Sequence, residues 1–292
     1  MGRRKSIIRQ GTEKLLSMAA FGDSKHSDML ANGGFPAIDK IYSTATMDNY
    51  IDCISRFLRW AQTTHGCRYL EEAREYIADY LNKRIETQSA WTVRLEAAAI
   101  AKVYQIHTTE LGVDLPLRHC DDIVQHRQAK WVGHFSPTKH AELVAFCLAA
   151  GLRRHEVAKV KPGDVYEENG NVYVETVGKG GKFRKAICLN TEPLRIAQAA
   201  ALEGKELVFA RIPKYAPIHE YRATYAQTMY ARLTRPVEEI PPRDRYVCRG
   251  SRRGEIYDAP ALAEVSKNLG HQRLDVVVDN YLHRNRQDKC CP

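Results

Sequence analysis

The sequence contains no stretch of about eighteen or more consecutive apolar residues, which is the length that a membrane-spanning helix needs. The mean hydropathy, −0.45, is also low for a chain embedded in a membrane. Internal repeats and low-complexity tracts are lacking too. Because hydrophobic residues still make up 44% of the 292 residues, the composition predicts domains with buried cores. A membrane-spanning helix and a wholly disordered chain are therefore excluded.

The eight cysteines form no CxxC pair, and no histidine lies beside them at the spacing of a zinc site. Cys53 and Cys147 fall on apolar stripes, which is typical of buried thiols. The pattern therefore predicts reduced thiols in a cytoplasmic protein and no bound metal. The adjacent pair Cys290 and Cys291 near the end of the sequence suggests no particular function.

Positive charge is in surplus, with 44 lysines and arginines against 35 aspartates and glutamates and a formal net charge of +9. The isoelectric point is about 9.1. A surplus of this size favours an acidic partner, either nucleic acid or an anionic membrane surface, and leaves the fold open.

The apolar pattern divides the sequence into regions. Residues 1–40 combine a basic start with Gly and Pro breakers and are predicted to be a mobile basic arm. Residues 41–115 carry three amphipathic helical patterns and are predicted to form a helical domain. Residues 116–136 lack periodicity and are predicted to be a linker.

The remaining region, 137–292, has a mixed pattern. A helix ends near Gly151, and two short alternating runs flank the glycine-rich turn at 178–181, which predicts a β-hairpin. Helical patterns return at 219–233 and 259–269. The second domain is therefore predicted to contain both helices and strands.

Four motifs of this second domain occur in a fixed order. They are AGLRRHEV at 150–157, GKGGKFR at 178–184, HEYR at 219–222, and LGH at 269–271 followed by YLH at 281–283. They resemble the G-L-R-x-x-E box, the G-K-G-x-K-x-R turn, the H-x-x-R box and the L-G-H box with its downstream tyrosine in the tyrosine recombinase, or phage integrase, family. Each motif alone is a weak signal, but their order is specific. The resemblance covers about residues 40–292.

The resemblance implies an α+β, mostly helical fold. A SAM-like helical core-binding domain would precede a mixed α/β DNA breaking-rejoining catalytic domain with a small antiparallel sheet. It also implies an enzyme that cleaves and rejoins duplex DNA at recombination sites through a 3′-phosphotyrosyl intermediate. Such enzymes close the two domains as a clamp around DNA and assemble as a tetramer on two duplexes. Accessory DNA-bending or directionality factors are candidate partners, and neither a cofactor nor a metal is expected.

The residue types suit this chemistry. A tyrosine holds the cleaved strand as a phosphoester that an incoming hydroxyl can reverse, and Tyr281 fits that role. Since free tyrosine has a pKa near ~10, a cationic pocket is needed to favour the phenolate. Arg153 and Arg222 are the natural phosphate clamp, because a guanidinium binds two oxygens and keeps its charge. Arg153 or Arg154 could each be a surface charge, and only the motif register selects the first.

The glycine-rich turn carries the candidate general acid. Lys179 resembles the family residue that protonates the departing 5′ oxygen. Lys182 and Arg184 follow it on a basic hairpin and are predicted to contact the DNA backbone.

The other pocket positions are also assigned by resemblance. His219 and His271 resemble the residues that bind the phosphate or help to move the tyrosine proton. Glu156, one helical turn after Arg153, is predicted to orient guanidinium groups. Ten positions separate His271 from Tyr281, one more than in most family members. The helix that carries the tyrosine must therefore absorb a residue or begin differently.

The sequence between the HEYR and LGH motifs is longer than in compact family members. The excess, residues 231–260, is predicted to be an inserted loop and basic hairpin. Its arginines either contact the DNA backbone or belong to a solvated turn, and they are Arg249, Arg252 and Arg253.

Several functions are compatible with these motifs. The insertion favours a recombinase that integrates or excises a mobile element over an Xer-like resolvase of replicon dimers. A type IB topoisomerase shares the fold and the pocket. An inactive DNA-binding accessory protein is the alternative of a different class, and the complete set of motif residues argues against it. The DNA partner leaves no role for a membrane.

Overall fold

The computed structural model describes residues 5–118, 134–178, 181, 183–249 and 252–282. The chain divides into two compact units, Met1–His119 and Cys120–Pro292. No helix in the described ranges is long and apolar enough to cross a membrane.

The N-terminal unit is helical. Its described α-helices are α1 Ile7–Leu16, α2 Lys25–Ala31, α3 Thr44–His65, α4 Leu70–Arg74, α5 Ile77–Thr87 and α6 Ala90–Tyr104. Helix α3 begins at an N-cap hydroxyl from Ser43 and ends at Gly66, which takes a left-handed conformation, as the sequence indicates for its end. The second of the three helical patterns predicted in residues 41–115 forms two helices, α4 and α5.

The N-terminal segment differs from the predicted mobile arm. Helix α1 packs along α3, and Ile7 and Leu15 are both buried in the core of the helical unit. Gly11 lies between them on the same face, where an added Cβ would stand 2.6 Å from Leu58. Ile41 is buried in the same core. The expectation of an arm over residues 1–40 is therefore wrong, because the i, i+4, i+8 stripe of α1 supplies an apolar face that the breakers obscure.

The C-terminal unit combines helices with two small antiparallel sheets. Its described elements are α7 Ala141–Ala150, α8 Arg154–Val157, β1 Val165–Glu168, β2 Asn171–Val177, β3 Phe183–Ile187, α9 Glu192–Leu202, α10 Ile218–Leu233, β4 Arg245–Val247, β5 Ile256–Asp258, α11 Ala259–Leu269 and α12 Leu274–Asn280. One core lies between α7, α9 and the sheet β1-β2-β3, and a second lies between α10, α11 and α12. The predicted α+β class and the hairpin around the glycine-rich turn are confirmed.

The register of the hairpin decides which β3 side chains face inward. Val174 pairs with Ala186, and Thr176 pairs with Arg184. Because side chains alternate along a strand, Arg184 and Ala186 lie on the buried face, whereas Phe183 is exposed. An arginine thus points from the sheet toward the protein interior.

The inserted segment 231–260 has a defined structure in its described residues. Helix α10 extends to Leu233, two short 3-10 turns follow, and β4 pairs with β5. Arg235 anchors the segment through an ion pair to Asp258, with Nε 2.7 Å from Oδ2. Hydrogen bonding from Arg235 lowers the pKa of Asp258 to about 2.

Gly151, the C-cap of α7, has a φ of 61°, and an added Cβ would lie 2.3 Å from the Tyr225 ring. We therefore expect Gly151→Ala to lower the free energy of unfolding both through backbone strain of about 1–2 kcal/mol and through overpacking of about 1–3 kcal/mol. Gly170→Ala is the matched control, since Gly170 has a φ of 75° with nothing within 4 Å of an added Cβ. Urea denaturation followed by circular dichroism measures both, and an equal loss in the two variants would contradict the packing analysis.

Candidate active site

The Glu156 carboxylate lies at the centre of three arginines. It accepts hydrogen bonds from the Arg153 backbone N–H at 2.7 Å and from Arg153 Nη1 at 2.8 Å. Arg184 Nη2 donates to it at 2.5 Å, and Arg222 Nη1 lies 4.0 Å away. Burial by itself would raise the pKa of Glu156. The positive charge of Arg184, the hydrogen bond from the Arg153 backbone N–H and the positive charge of Arg153 together lower this pKa below its usual value. Glu156 is therefore ionised and holds the guanidinium groups in place.

Two of these arginines also bind the carboxyl ends of helices. Arg222 donates to the carbonyls of Gly151, at the end of α7, and Leu269, at the end of α11. Arg184 donates to the carbonyl of Asn268. The last carbonyls of a helix lack partners within the helix and carry partial negative charge, so they accept cations well. This arrangement allows Arg222 to be fully buried with its charge largely satisfied.

Burial lowers the pKa of Arg184 to about 10, and the charges of Arg222 and Arg153 act in the same direction. Burial also lowers the pKa of Arg222. Three positive charges therefore share one carboxylate, and the pocket has an excess of positive charge. Such a pocket stabilises an anion that reaches it.

The predicted contact of Arg184 with the DNA backbone is wrong. Its side chain is 7% exposed and is held by Glu156 and the Asn268 carbonyl. The alternation of β3, which pairs Arg184 with Ala186 on one face, is the sequence signal that could have indicated this. Lys179 and Lys182, the other predicted residues of this turn, lie outside the described residues.

Arg153 and Arg154 make different contacts, which distinguishes their roles. Arg154 binds the loop before α10, donating to the carbonyls of Pro213 and Ala216. Arg153 points to Glu156 with its side chain 25% exposed. Both arginines line a cavity of about 460 Å³ together with His219. Of the two, Arg153 is the one that Glu156 holds beside the pocket, because the guanidinium of Arg154 is bound to the loop carbonyls.

The Tyr281 hydroxyl lies in the same pocket. Arg222 Nε is 3.1 Å from the phenol oxygen, and His271 Nε2 is 3.3 Å from it. The His219 ring centroid is 5.8 Å from that of Tyr281 in an edge-on arrangement. Tyr281 itself is buried. The structure thus brings the predicted residues Arg153, Arg222, His219, His271 and Tyr281 together around Glu156.

His271 is held in its neutral form. Burial lowers its pKa to about 4, and the charges of Arg222 and Arg153 act in the same direction. A neutral imidazole can accept a proton from the phenol at Nε2. Gly270, with a φ of 68°, turns the chain at the end of α11 so that His271 follows directly, and an added Cβ there would stand 2.7 Å from Arg184.

The inserted hairpin divides the three arginines predicted to contact DNA. Arg249 and Arg253 are exposed and line a cavity of about 1150 Å³ beside α12. Arg252 fits neither of its two predicted roles, contact with the DNA backbone or part of a solvated turn, because its side chain is bound within the protein by Glu255 and by the carbonyl of Val278. Arg252 is thus bound within the protein, whereas Arg249 and Arg253 are exposed to solvent.

Two residues of this region escape prediction from the sequence. Asn268 supplies a carbonyl to Arg184 and its side-chain oxygen to the Ile187 N–H, and Gln227 donates from α10 to the Tyr281 carbonyl at 2.9 Å. These contacts join elements distant in the chain, so no local pattern indicates them. Within the described ranges, no group of three or more His, Cys, Asp or Glu side chains is arranged to hold a metal ion.

No protein-family model and no curated protein match the sequence. Solved structures do match. The XerH site-specific recombinase bound to palindromic difH substrate, in a post-cleavage complex, is 14% identical with a TM-score of 0.53, covering 96% of this chain and 92% of that chain. The pre-cleavage complex of XerH with difH is 13% identical with a TM-score of 0.50, over 97% and 93% of the two chains.

The Tn1549 transposon integrase in complex with circular intermediate DNA is also similar, with 11% identity and a TM-score of 0.42 over 97% of each chain. That score is too low to support any inference about this chain. The similarity to XerH extends over nearly the whole length, and at such low identity it speaks for the fold. The chain therefore has the fold of the tyrosine recombinases, as its ordered motifs predict.

Proposed function

We propose that this chain is a site-specific DNA recombinase that cleaves and rejoins duplex DNA with Tyr281 as its nucleophile. The observation that carries the proposal is the position of the Tyr281 hydroxyl, within hydrogen-bonding distance of Arg222 Nε and His271 Nε2. The likeness in fold to XerH, solved on its difH substrate, supports the same function.

The excess positive charge is the main catalytic resource. A scissile phosphate that enters beside Arg153 and His219 meets guanidinium groups already fixed by Glu156. These charges offset the negative charge that builds on the nonbridging oxygens in the transition state. Because the groups are held before DNA arrives, little reorganisation is needed when the phosphate binds.

The proposed cleavage step needs two proton transfers, one from the attacking phenol and one to the departing 5′ oxygen. The Tyr281 oxygen attacks phosphorus and loses its proton to His271 Nε2, while the bond between phosphorus and the 5′ oxygen breaks. Lys179 would give its proton to the departing oxygen. The negative charge of the bound phosphate partly cancels the positive charge of the surrounding arginines. This raises the pKa of His271 and makes it a stronger base once DNA is bound. Attack by the 5′ hydroxyl of another strand on the phosphotyrosyl bond then rejoins the DNA.

The proposal extends to the assembly and biological role. Four protomers would act on two duplexes, so that each freed 5′ hydroxyl finds a phosphotyrosyl bond on the other duplex. The inserted segment 231–260 favours integration and excision of a mobile element. The surplus of positive charge would neutralise backbone phosphates of the duplex.

The nucleophile is tested by trapping. Wild-type protein incubated with a nicked suicide substrate, from which the short fragment with the freed 5′ hydroxyl diffuses away, is expected to form a covalent adduct visible by denaturing electrophoresis. Tyr281→Phe removes the attacking oxygen and should form none. Tyr215→Phe, which alters an exposed tyrosine, is the control and should keep the adduct. An adduct that persists in Tyr281→Phe would contradict the assignment.

The state of His271 is tested through stability. The pKa of His271 is near the usual 6.5 in the unfolded chain and is lowered to about 4 in the folded chain. Between these values the unfolded state holds more protons, so the free energy of unfolding falls as the pH falls through this window. We expect His271→Asn to show a shallower decline in urea denaturation. Equal slopes in the variant and the wild type would show that His271 is not held neutral.

The exposed arginines of the inserted hairpin are tested through salt dependence. If Arg249 and Arg253 contact phosphates, reversing both charges to Glu should flatten the fall of DNA affinity with increasing salt, by roughly one unit of slope for each lost contact. Arg243→Glu is the control, since Arg243 is 88% exposed in the same inserted segment but outside the cavity. An unchanged slope in the double variant would assign the hairpin arginines to a solvated turn.

A further inference from the structure

Arg252 reaches from the inserted segment to the segment that carries Tyr281. Its Nη1 donates to the Val278 carbonyl at 2.7 Å, and its Nη2 lies 3.2 Å from the Leu282 carbonyl. The two acceptors lie on either side of Tyr281 in the chain. One guanidinium from residues 231–260 therefore fixes the backbone before and after the proposed nucleophile.

The guanidinium is itself held in orientation. Arg252 Nη2 donates to Glu255 Oε2 at 2.6 Å and also contacts the Tyr257 hydroxyl. The Arg252 side chain is 11% exposed. An arginine bound on several sides in this way has little freedom to turn toward a ligand in solvent. Its role is consequently within the protein.

Tyr281 is held to α12 through its own N–H, which donates to the Val277 carbonyl at 2.9 Å, and partners from other elements bind the carbonyls around it. The helix has seven residues and ends at Asn280. The backbone angles of Tyr281, φ −128° and ψ −35°, are no longer helical. The last carbonyls of so short a helix have no partners within it. Gln227 binds the Tyr281 carbonyl from the α10 side, and Arg252 binds the flanking carbonyls from the inserted segment.

We infer that the inserted segment 231–260 is a positioning element for the nucleophile, acting through Arg252. The inference rests on the proposed function, because it concerns the placement of Tyr281 for attack. In the folded chain, Arg252 keeps the Tyr281 oxygen within reach of Arg222 and His271. Loss of the Arg252 side chain leaves the other pocket residues in place but allows the backbone around Tyr281 to move.

A DNA-free measurement tests this directly. 3-Fluorotyrosine incorporated at position 281 gives one fluorine resonance, which is expected to be sharp in the otherwise unaltered chain. In Arg252→Ala the resonance should broaden or split, because the ring samples several positions. Arg243→Ala removes a charge from the same segment and should leave the resonance sharp. A sharp, unshifted resonance in Arg252→Ala would overturn the inference whether or not the protein cleaves DNA.

Cleavage kinetics supply the second test, on a DNA site first isolated by selection from random duplexes. With DNA fully bound, the first-order rate of adduct formation should fall about 10- to 100-fold in Arg252→Ala, since misplacing a reacting group by about 1 Å has such an effect. DNA affinity should match that of Arg243→Ala. Added methylguanidinium should restore part of the rate, whereas sodium chloride at equal ionic strength should not.

The outcomes separate the two proposals. A normal rate in Arg252→Ala, or a loss of rate that follows a loss of DNA affinity and is not rescued, would overturn the positioning role. If Arg252→Ala does not fold, Arg252→Lys applies the same criteria, since it keeps the charge and loses the fork that spans both carbonyls. A wild-type chain that forms no adduct on its selected site would overturn the proposed function instead.

Discussion

The structure of the pocket depends on the Glu156 carboxylate. It binds Arg153 and Arg184 directly and lies 4.0 Å from Arg222, so three guanidinium groups share one negative charge. Without it, three like charges would face one another in a poorly solvated space, where their repulsion is strong. With it, the positive excess is held rigidly and remains available to an anion. The carboxylate makes a cationic pocket compatible with a folded core.

A second constraint recurs at three helix ends. The carboxyl ends of α7 and α11 accept hydrogen bonds from Arg222 and Arg184, and the end of α12 accepts them from Arg252. In each case an arginine meets carbonyls that have no partner within their own helix. Helix ends thus place the arginines, and Arg222 in turn joins the ends of α7 and α11. Burial, together with the charges of Arg222 and Arg184, lowers the pKa of His271 and keeps it neutral.

The sequence predicts the fold class, the hairpin and the motif residues that the structure brings together, namely Arg153, His219, Arg222, His271 and Tyr281, because these depend on local periodicity and on ordered motifs. It fails for the contacts made by Arg184 and Arg252, which carry positive charge in basic hairpins and therefore resemble DNA-contacting residues. Burial of a charge depends on a partner that is distant in the chain, Glu156 for Arg184 and the Val278 carbonyl for Arg252. Helix α1 was obscured for a different reason, since breakers follow its apolar stripe.

The central proposal is that the Tyr281 oxygen forms a covalent bond to DNA, and the position of that bond can be determined directly. Protein trapped on a nicked suicide substrate can be digested with protease and nuclease, and the modified peptide can be sequenced by mass spectrometry. We expect one modified peptide, with the nucleotide attached through a 3′ phosphate to Tyr281. Attachment to any other residue, or through a 5′ phosphate, would contradict it.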